Sequence, residues 1–283
     1  MPRLSRIVVS SLAFAAAPMF MAQAQEPAPI LGIVREDIKS GKGAAHEKTE
    51  MAYVRAFSKS KFPHYIGMVN VTGPSHALFL ERYDSFEAVA DAMALTDKEP
   101  LKSELAQADA ADGELRTGDR YTFATYRKEL SYEPVPAELA KYRFHSVTTV
   151  RVRPGHVDDV EALFKLGNQM RMKTDSKQRR VVYGVVSGAP AGTYLIFSGM
   201  ESLKTLDPPR PAKSPAETFG AEDWARYQKM YSDLVISSEN VLYAVNPKMS
   251  YPPKEFIDAD PEFWAPKPKP AMAKPAAKPA ASK

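Results

Sequence analysis

Two seven-residue segments that lie far apart in the chain share one pattern. KELSYEP at residues 128–134 matches PKMSYPP at residues 247–253, with a Leu/Met position, Ser, Tyr and Pro in register. Three more pairs of segments match in the same order: 33–50 with 147–164, 64–73 with 181–190, and 76–89 with 192–206. Four matches in one order indicate an internal repeat of two equivalent halves, which restricts the possible folds.

Each half shows the same succession of patterns. A strand is followed by a Gly-containing turn and an amphipathic helix, then by a hairpin, more helix and a closing strand. The serine in Asp84-Ser85-Phe86-Glu87 resembles the start of a capping box that opens a helix. Predicted elements are a strand at 30–38, helices at 43–60 and 99–111 and a strand at 119–130, then a strand at 143–153, helices at 156–173 and 218–236 and a strand at 240–249.

The order βαββαβ, read twice, predicts an α+β fold made of two tandem ferredoxin-like repeats. One such repeat has helices on one face of its antiparallel sheet and leaves the other face bare. Two repeats can pack their bare faces together as a single-chain α+β barrel. We therefore expect the first repeat at residues 25–135 and the second at residues 136–255.

The two ends of the chain have compositions unlike the rest. Residues 1–24 combine Arg3 and Arg6, a short apolar run and Ala22-Gln23-Ala24, which is typical of a signal peptide. Residues 256–283 end in a run of Pro, Ala and Lys that predicts a disordered tail. The chain has no cysteine. These features predict an exported protein, periplasmic or secreted, without disulfides.

The net charge of +4 comes from those two ends. Arg3 and Arg6 contribute +2 and the five lysines after Trp264 contribute +5, so the rest of the chain carries −3. This balance argues against a nucleic-acid partner. The apolar run of the leader is too short for a transmembrane segment. The tail is expected either to contact an anionic envelope surface or to remain solvated without a partner.

With this order of elements, the chain resembles the dimeric α+β barrel superfamily in its tandem form. It is similar to NIPSNAP-like and antibiotic-monooxygenase-like domains, and most similar to uncharacterised exported bacterial proteins of this build. The resemblance is carried by REDIKSGKGAAHEK (35–48), VRPGHVDDVEALF (152–164) and the two S-Y-x-P segments, and it covers residues 29–255. Superfamily members include cofactor-free monooxygenases, isomerases, haem-handling enzymes and proteins of unknown role. The resemblance therefore implies the fold but no particular chemistry.

No common catalytic or cofactor motif is present, including H-E-x-x-H, the Walker loop and the Rossmann fingerprint. No two of the five histidines stand three or four residues apart, so the sequence contains no helical pair of histidine ligands. We expect no metal site and no cofactor, and the alternative is a metal site assembled from separate strands. His46 and His156 open helices and are expected to be solvated, and His76 is expected at a hairpin turn. The duplicated Ser-Tyr pairs are interpreted as structural, because a chemical site seldom needs two copies.

Four residues are candidates for a ligand site inside the barrel. Strand alternation places His64, His145, Arg35 and Tyr183 among apolar neighbours. If those faces point inward, the four side chains supply polar groups in a largely apolar cavity, as in ordinary ligand sites. The alternative is that they are hydrogen-bonded at strand ends or at a sheet edge. Alternation alone does not say which face is inside.

Three functions are consistent with these patterns. The first is a binding protein for a small, mostly apolar molecule. The second is a cofactor-independent monooxygenase or isomerase that uses a histidine as proton acceptor. The third is a non-catalytic structural or interaction protein of the cell envelope with a filled barrel. A cavity favours the first two over the third, and a histidine with a polar orienting neighbour favours the second over the first.

Overall fold

The computed structural model describes residues 26–134, 136–173, 178–207 and 213–265. The predicted signal peptide at residues 1–24 and the greater part of the predicted tail lie outside these ranges. Eight strands lie within the described residues. They are β1 (Ile30–Ile38), β2 (Tyr65–Asn70), β3 (His76–Tyr83), β4 (Arg116–Tyr126), β5 (Phe144–Val152), β6 (Val181–Ser187), β7 (Thr193–Met200) and β8 (Val235–Val245).

The strands form one closed antiparallel barrel in the order β1-β3-β2-β8-β5-β7-β6-β4. Within this order, β4-β1-β3-β2 comes from the N-terminal part of the chain and β8-β5-β7-β6 from the C-terminal part. The two groups join where β2 pairs with β8 and where β4 pairs with β6. Closure leaves no free sheet edge among the described strands, so every strand has two neighbours.

Helices cover the outside of the barrel. The two longest, at residues 43–60 and 157–173, follow the first strand of each group, and both match the predicted positions closely. The described helices are α1 (Gly43–Ser60), α2 (Phe86–Thr96), α3 (Leu101–Asp112), α4 (Val157–Lys173), α5 (Pro215–Phe219), α6 (Ala221–Leu234), α7 (Lys254–Ala259) and α8 (Pro261–Trp264). Within the described residues, no helix combines the length and the apolar composition that a bilayer crossing requires.

Strand β1 shows which sheet face lines the interior. Leu31 and Ile33 belong to the buried cluster that fills the barrel, whereas Ile30 and Ile38 pack against the helices. Both faces of the strand are therefore buried, and the inward face is the one that contains Arg35. The buried interior cluster is Ala28, Leu31, Ile33, Met68, Leu78, Ala124, Val147, Tyr183, Phe197, Val241, Tyr243, Val245 and Trp264.

The two Ser-Tyr segments make matching contacts. Ser250 Oγ accepts a hydrogen bond from the Gly67 N–H in β2 at 2.9 Å, and Ser131 Oγ accepts one from the Val182 N–H in β6 at 3.0 Å. Each serine also donates to the carbonyl four residues earlier in the chain, at 2.7 Å and 2.9 Å respectively. The tyrosine that follows each serine forms a β-bridge beside the start of the same strand. Each segment thus ties the end of one strand group to the other group.

Several elements differ from the sequence-based prediction. The closing strands β4 and β8 begin and end several residues earlier than predicted, at Arg116–Tyr126 and Val235–Val245. A 3-10 turn at Leu203–Leu206 follows β7, whereas the helix α2 follows β3. Residues 256–264, which the composition placed in the tail, form parts of α7 and α8. They fold because apolar side chains in this segment are buried against the barrel, Trp264 foremost.

Candidate functional site

A cavity of about 100 Å³ lies inside the barrel near the start of β1. A smaller pocket of about 30 Å³ adjoins it and shares five of its lining residues. Residues from both strand groups and from the C-terminal helices contribute to the wall. The lining residues of the larger cavity are Pro27, Ala28, Leu31, Ile66, Leu80, Arg82, Leu139, His145, Val181, Tyr183, Phe197, Val245, Phe256 and Trp264.

The C-terminal helices close this end of the barrel. The Trp264 indole N–H donates to the Ala140 carbonyl at 2.8 Å, and its ring lies 5.5 Å from that of Phe256. Arg143 forms an ion pair with Asp260 and stacks over an aromatic ring of α8. These contacts hold α7 and α8 in place, so the segment is a fixed wall of the cavity.

His145 is the polar group most isolated from the rest of the protein. It lies on β5, and its Nδ1 is buried without a hydrogen-bond partner among the described residues. The side chain as a whole is half-buried because it borders the cavity. Burial lowers the pKa of His145 from 6.5 to about 4, since the charged imidazolium would lose its hydration. The ring is therefore neutral at neutral pH.

Tyr183 and Arg82 supply the other polar groups of the wall. The Tyr183 hydroxyl donates to the Ala28 carbonyl at 2.9 Å, so its donor is already used. Burial raises the pKa of Tyr183 above its usual range, and the charge of Arg82 opposes part of that rise. Within the described chain, the Arg82 guanidinium has no ion-pair partner. The cavity thus offers one free imidazole nitrogen and one unpaired cation.

The structure brings together two of the four predicted site residues. His145 and Tyr183 line the cavity, whereas His64 and Arg35 do not. His64 precedes β2, and its Nδ1 lies 3.3 Å from the Tyr251 carbonyl oxygen. Arg35 lies four residues after Leu31, the β1 residue that lines the cavity, which is about 13 Å along the strand. Its side chain pairs with Asp37 at 3.0 Å. For His64 the strand-end alternative describes the geometry better, whereas Arg35 lies within β1 and is paired away from the cavity.

The remaining histidines have three different environments. His46 is 1% exposed, so the expectation of a solvated side chain is wrong for it. His156 is exposed and lies 2.9 Å from Asp159, as the helix-start position predicts. His76 begins β3 and is buried, with Nε2 2.7 Å from the Tyr243 hydroxyl. His46 differs because its helix packs its first turn against the sheet.

Sequence reasoning missed Arg82, Trp264 and Phe256. Arg82 follows the alternation of Leu78 and Leu80 on β3, which would have identified it once that face was known to be inside. Trp264 and Phe256 lie in a region that the composition assigned to the tail. The signal there was the aromatic content of residues 256–264, which is untypical of disordered segments.

The donor set of the cavity suits binding better than metal or acid–base chemistry. Its lining contains one imidazole and, among the described residues, no carboxylate, so it lacks the several donors that a protein metal site uses. Among the described residues, none hydrogen-bonds to His145 Nδ1 and so orients the ring as a general base. An apolar wall with a free nitrogen and a nearby cation is instead typical of a small-molecule site.

Comparisons with known proteins support the fold. No protein-family model matches the chain, and no curated protein matches it. An anthrone oxidase-like protein of known structure superposes with a TM-score of 0.51 at 12% identity, covering 79% of this chain and 93% of that chain. A candidate monooxygenase from Lactobacillus acidophilus NCFM gives a TM-score of 0.49 at 9% identity, with coverages of 77% and 94%.

A chlorite dismutase variant from Candidatus Nitrospira defluvii gives a TM-score of 0.47 at 8% identity, covering 83% of this chain and 97% of that chain. At such identities, a structural likeness establishes the fold and leaves the chemistry open. The chain therefore shares its fold, an eight-stranded antiparallel α+β barrel, with the anthrone oxidase-like protein.

Proposed function

We propose that the protein binds a small, mostly apolar molecule in the barrel cavity. One observation carries this proposal: a cavity with an apolar wall contains a histidine whose Nδ1 has no partner among the described residues. A buried polar atom without a partner costs free energy, and a ligand that hydrogen-bonds to it removes that cost. The rest of the wall contributes apolar contact.

The size of the cavity limits the ligand. Apolar cavities of about 150 Å³ accept benzene, and the volume here is about 100 Å³ with a further 30 Å³ adjoining. The ligand is therefore a molecule no larger than a single ring or a short branched chain. The unpaired Arg82 and the free His145 nitrogen favour a ligand with one hydroxyl or one negatively charged group.

A cofactor-independent monooxygenase or isomerase is the second candidate. It is supported only by the similarity of the fold to that of an anthrone oxidase-like protein. The geometry favours binding, because an imidazole with a pKa of about 4 and no orienting partner is a weak proton acceptor at neutral pH. Oxygen consumption in the presence of a bound ligand would identify the enzyme. A structural protein with a filled barrel is disfavoured by the cavity.

We also propose that the two strand groups descend from a duplicated ferredoxin-like unit, at residues 25–135 and 136–255. Their matching strand orders and the matching contacts of Ser131 and Ser250 support this. We propose further that residues 1–24 direct export, so that the protein is periplasmic or secreted, and that the C-terminal tail contacts the envelope. The compositions of the leader and the tail support these two points. A relationship to NIPSNAP-like proteins is also part of the proposal.

Titration with benzene and phenol tests the proposed binding. The two probes share a ring and differ by one hydroxyl, so their affinity ratio reports a hydrogen bond inside the cavity. We expect both to bind the full chain, with phenol favoured about two- to tenfold. Isothermal titration calorimetry gives both affinities.

His145→Leu keeps the volume of the side chain and removes its nitrogens, so the preference for phenol should disappear. His64→Leu is the matched control, since His64 lies outside the cavity and should leave the ratio unchanged. If neither benzene nor phenol binds, or if the ratio of their affinities is unaltered in His145→Leu, the cavity is not the binding site.

A further inference from the structure

Four ligand-type side chains meet in a second buried place, between α1 and the outer face of the sheet. Glu36 comes from β1, His46 and Glu50 from successive turns of α1, and Asp112 from the end of α3. One donor atom from each residue lies within 4.8 Å of the others. His46 Nε2 is 2.7 Å from Glu36 Oε2, 3.7 Å from Glu50 Oε1 and 3.8 Å from Asp112 Oδ1.

One oxygen of this cluster has no partner. Glu50 is 4% exposed, and its Oε1 is buried without a hydrogen bond to any described residue. That atom is directed at the cluster, as its distance to His46 Nε2 shows. A carboxylate oxygen that is buried and unpaired is unfavourable unless a ligand occupies the space beside it. The orientation of Glu50 is thus independent support for a ligand.

The charged groups of the cluster indicate that this ligand is positively charged. Arg116 is the cation next to it, with NH1 2.7 Å from Glu36 Oε1 and Nε 2.8 Å from Asp112 Oδ2. Three carboxyl groups face one guanidinium, so acidic groups are in excess in the cluster. A divalent cation neutralises that excess, and buried charges require such pairing.

We propose that Glu36, His46, Glu50 and Asp112 form a site for a first-row divalent cation such as Zn²⁺ or Mn²⁺. Imidazole nitrogen together with carboxylate oxygen suits this class of metal better than Ca²⁺ or Mg²⁺, which take oxygen ligands. Ligand atoms about 2.1 Å from such a cation lie roughly 3 to 4 Å from one another. The distances from His46 to Glu50 and Asp112 already fall in this range. The contact between His46 and Glu36 would open by about half an ångström.

A neighbouring cavity gives the metal room for a further ligand. It measures about 150 Å³ and is lined in part by Glu36, Glu50, Tyr53 and Tyr65. The Tyr65 hydroxyl is buried without a partner among the described residues. Water molecules or a small oxygen-containing ligand on the metal could reach this hydroxyl. The site therefore has the open side that distinguishes a reactive metal centre from a closed structural one.

The test uses the full chain after removal of metal with a chelator, titrated with Zn²⁺ and separately with Mn²⁺ by calorimetry. We expect one equivalent of at least one of the two metals per chain and a rise in melting temperature on binding. Glu50→Gln removes the charge of the unpartnered oxygen at constant shape, and we expect affinity to fall about tenfold or more. His46→Gln should have the same effect.

His156→Gln is the matched control, because His156 lies at the start of the helix that follows the first strand of the other group, is exposed and is not part of the cluster. It should bind metal like the unaltered protein. Should His46→Gln fail to fold, the isosteric Glu50→Gln variant still provides the comparison. Binding of neither metal, or equal affinity in Glu50→Gln and the unaltered protein, would overturn the assignment.

Discussion

Replacement of His145 by leucine is expected to remove an acid-dependent loss of stability. In the folded protein the pKa of His145 is lowered to about 4 by burial, against 6.5 for an ordinary imidazole. Between these two pH values the unfolded chain binds a proton at this side chain and the folded protein does not. Acid therefore favours the unfolded state, so stability is complete above pH 6.5 and is lost as the pH falls towards 4.

The size of the effect follows from the same two values. Each pH unit between them corresponds to about 1.36 kcal/mol, so the full contribution of His145 is about 3 kcal/mol. By pH 4.5 roughly 2 to 3 kcal/mol of the free energy of unfolding should be lost through this residue alone. Leucine does not titrate and fills nearly the same space, so the variant should lack this pH-dependent loss of stability.

Urea unfolding at pH 7 and at pH 4.5 measures the difference. Carboxylates also titrate in this range, so the informative quantity is the pH-dependent loss in the unaltered protein minus the loss in His145→Leu. We expect roughly 2 to 3 kcal/mol. His64→Leu should show the full loss. Parallel pH dependence in the unaltered protein and His145→Leu, to within about 0.5 kcal/mol, would refute the buried, unpaired state of His145.

Two further substitutions test how the barrel is closed. Gly67→Ala places a Cβ 2.3 Å from the Met249 carbonyl oxygen, so we expect severe destabilisation in urea unfolding. Gly118→Ala is the control, because a Cβ there meets nothing within 4 Å and should change stability little. A stable Gly67→Ala variant would contradict the close approach of Met249 to Gly67. Trp264→Ala removes a buried ring whose N–H is hydrogen-bonded to the Ala140 carbonyl. We expect the free energy of unfolding to fall by about 3 to 5 kcal/mol and phenol to bind more weakly. A fall of under about 1 kcal/mol would show that α8 is not part of the folded wall.

The regular parts of the fold were predictable because local signals determine them. The helix at 43–60 and the strand at 30–38 were predicted with the bounds that the structure has, since a turn at Ser40-Gly41 separates two clear periodicities. The antiparallel barrel followed from the need to cover a second sheet face. The repeated Ser-Tyr segments indicated two equivalent halves, but their contacts with the opposite strand group were not predicted.

The inward face of the strands was not predictable, because both faces are buried. On β1, Ile30 and Ile38 face the helices while Leu31 and Ile33 face the interior, so no polar side marks the outside. Without that assignment, Arg35 and His145 remained equivalent candidates. The structure separates them by placing them at different depths along the barrel.

The buried acidic cluster depends on tertiary contacts. Glu36 and Asp112 come from elements far apart in the chain, and no spacing in the sequence brings them together. A local signal was nevertheless present: His46 and Glu50 stand four residues apart on one face of α1. A search for paired histidines alone overlooks such a mixed pair of donors.

Native mass spectrometry of the protein isolated from its own source tests most directly whether the barrel holds a ligand. We expect a fraction of the protein to carry a small additional mass that is lost on denaturation, and that fraction should fall in Trp264→Ala, where the wall of the cavity is removed. Protein that carries no added mass, together with no uptake of phenol by the purified chain, would contradict the proposed binding function.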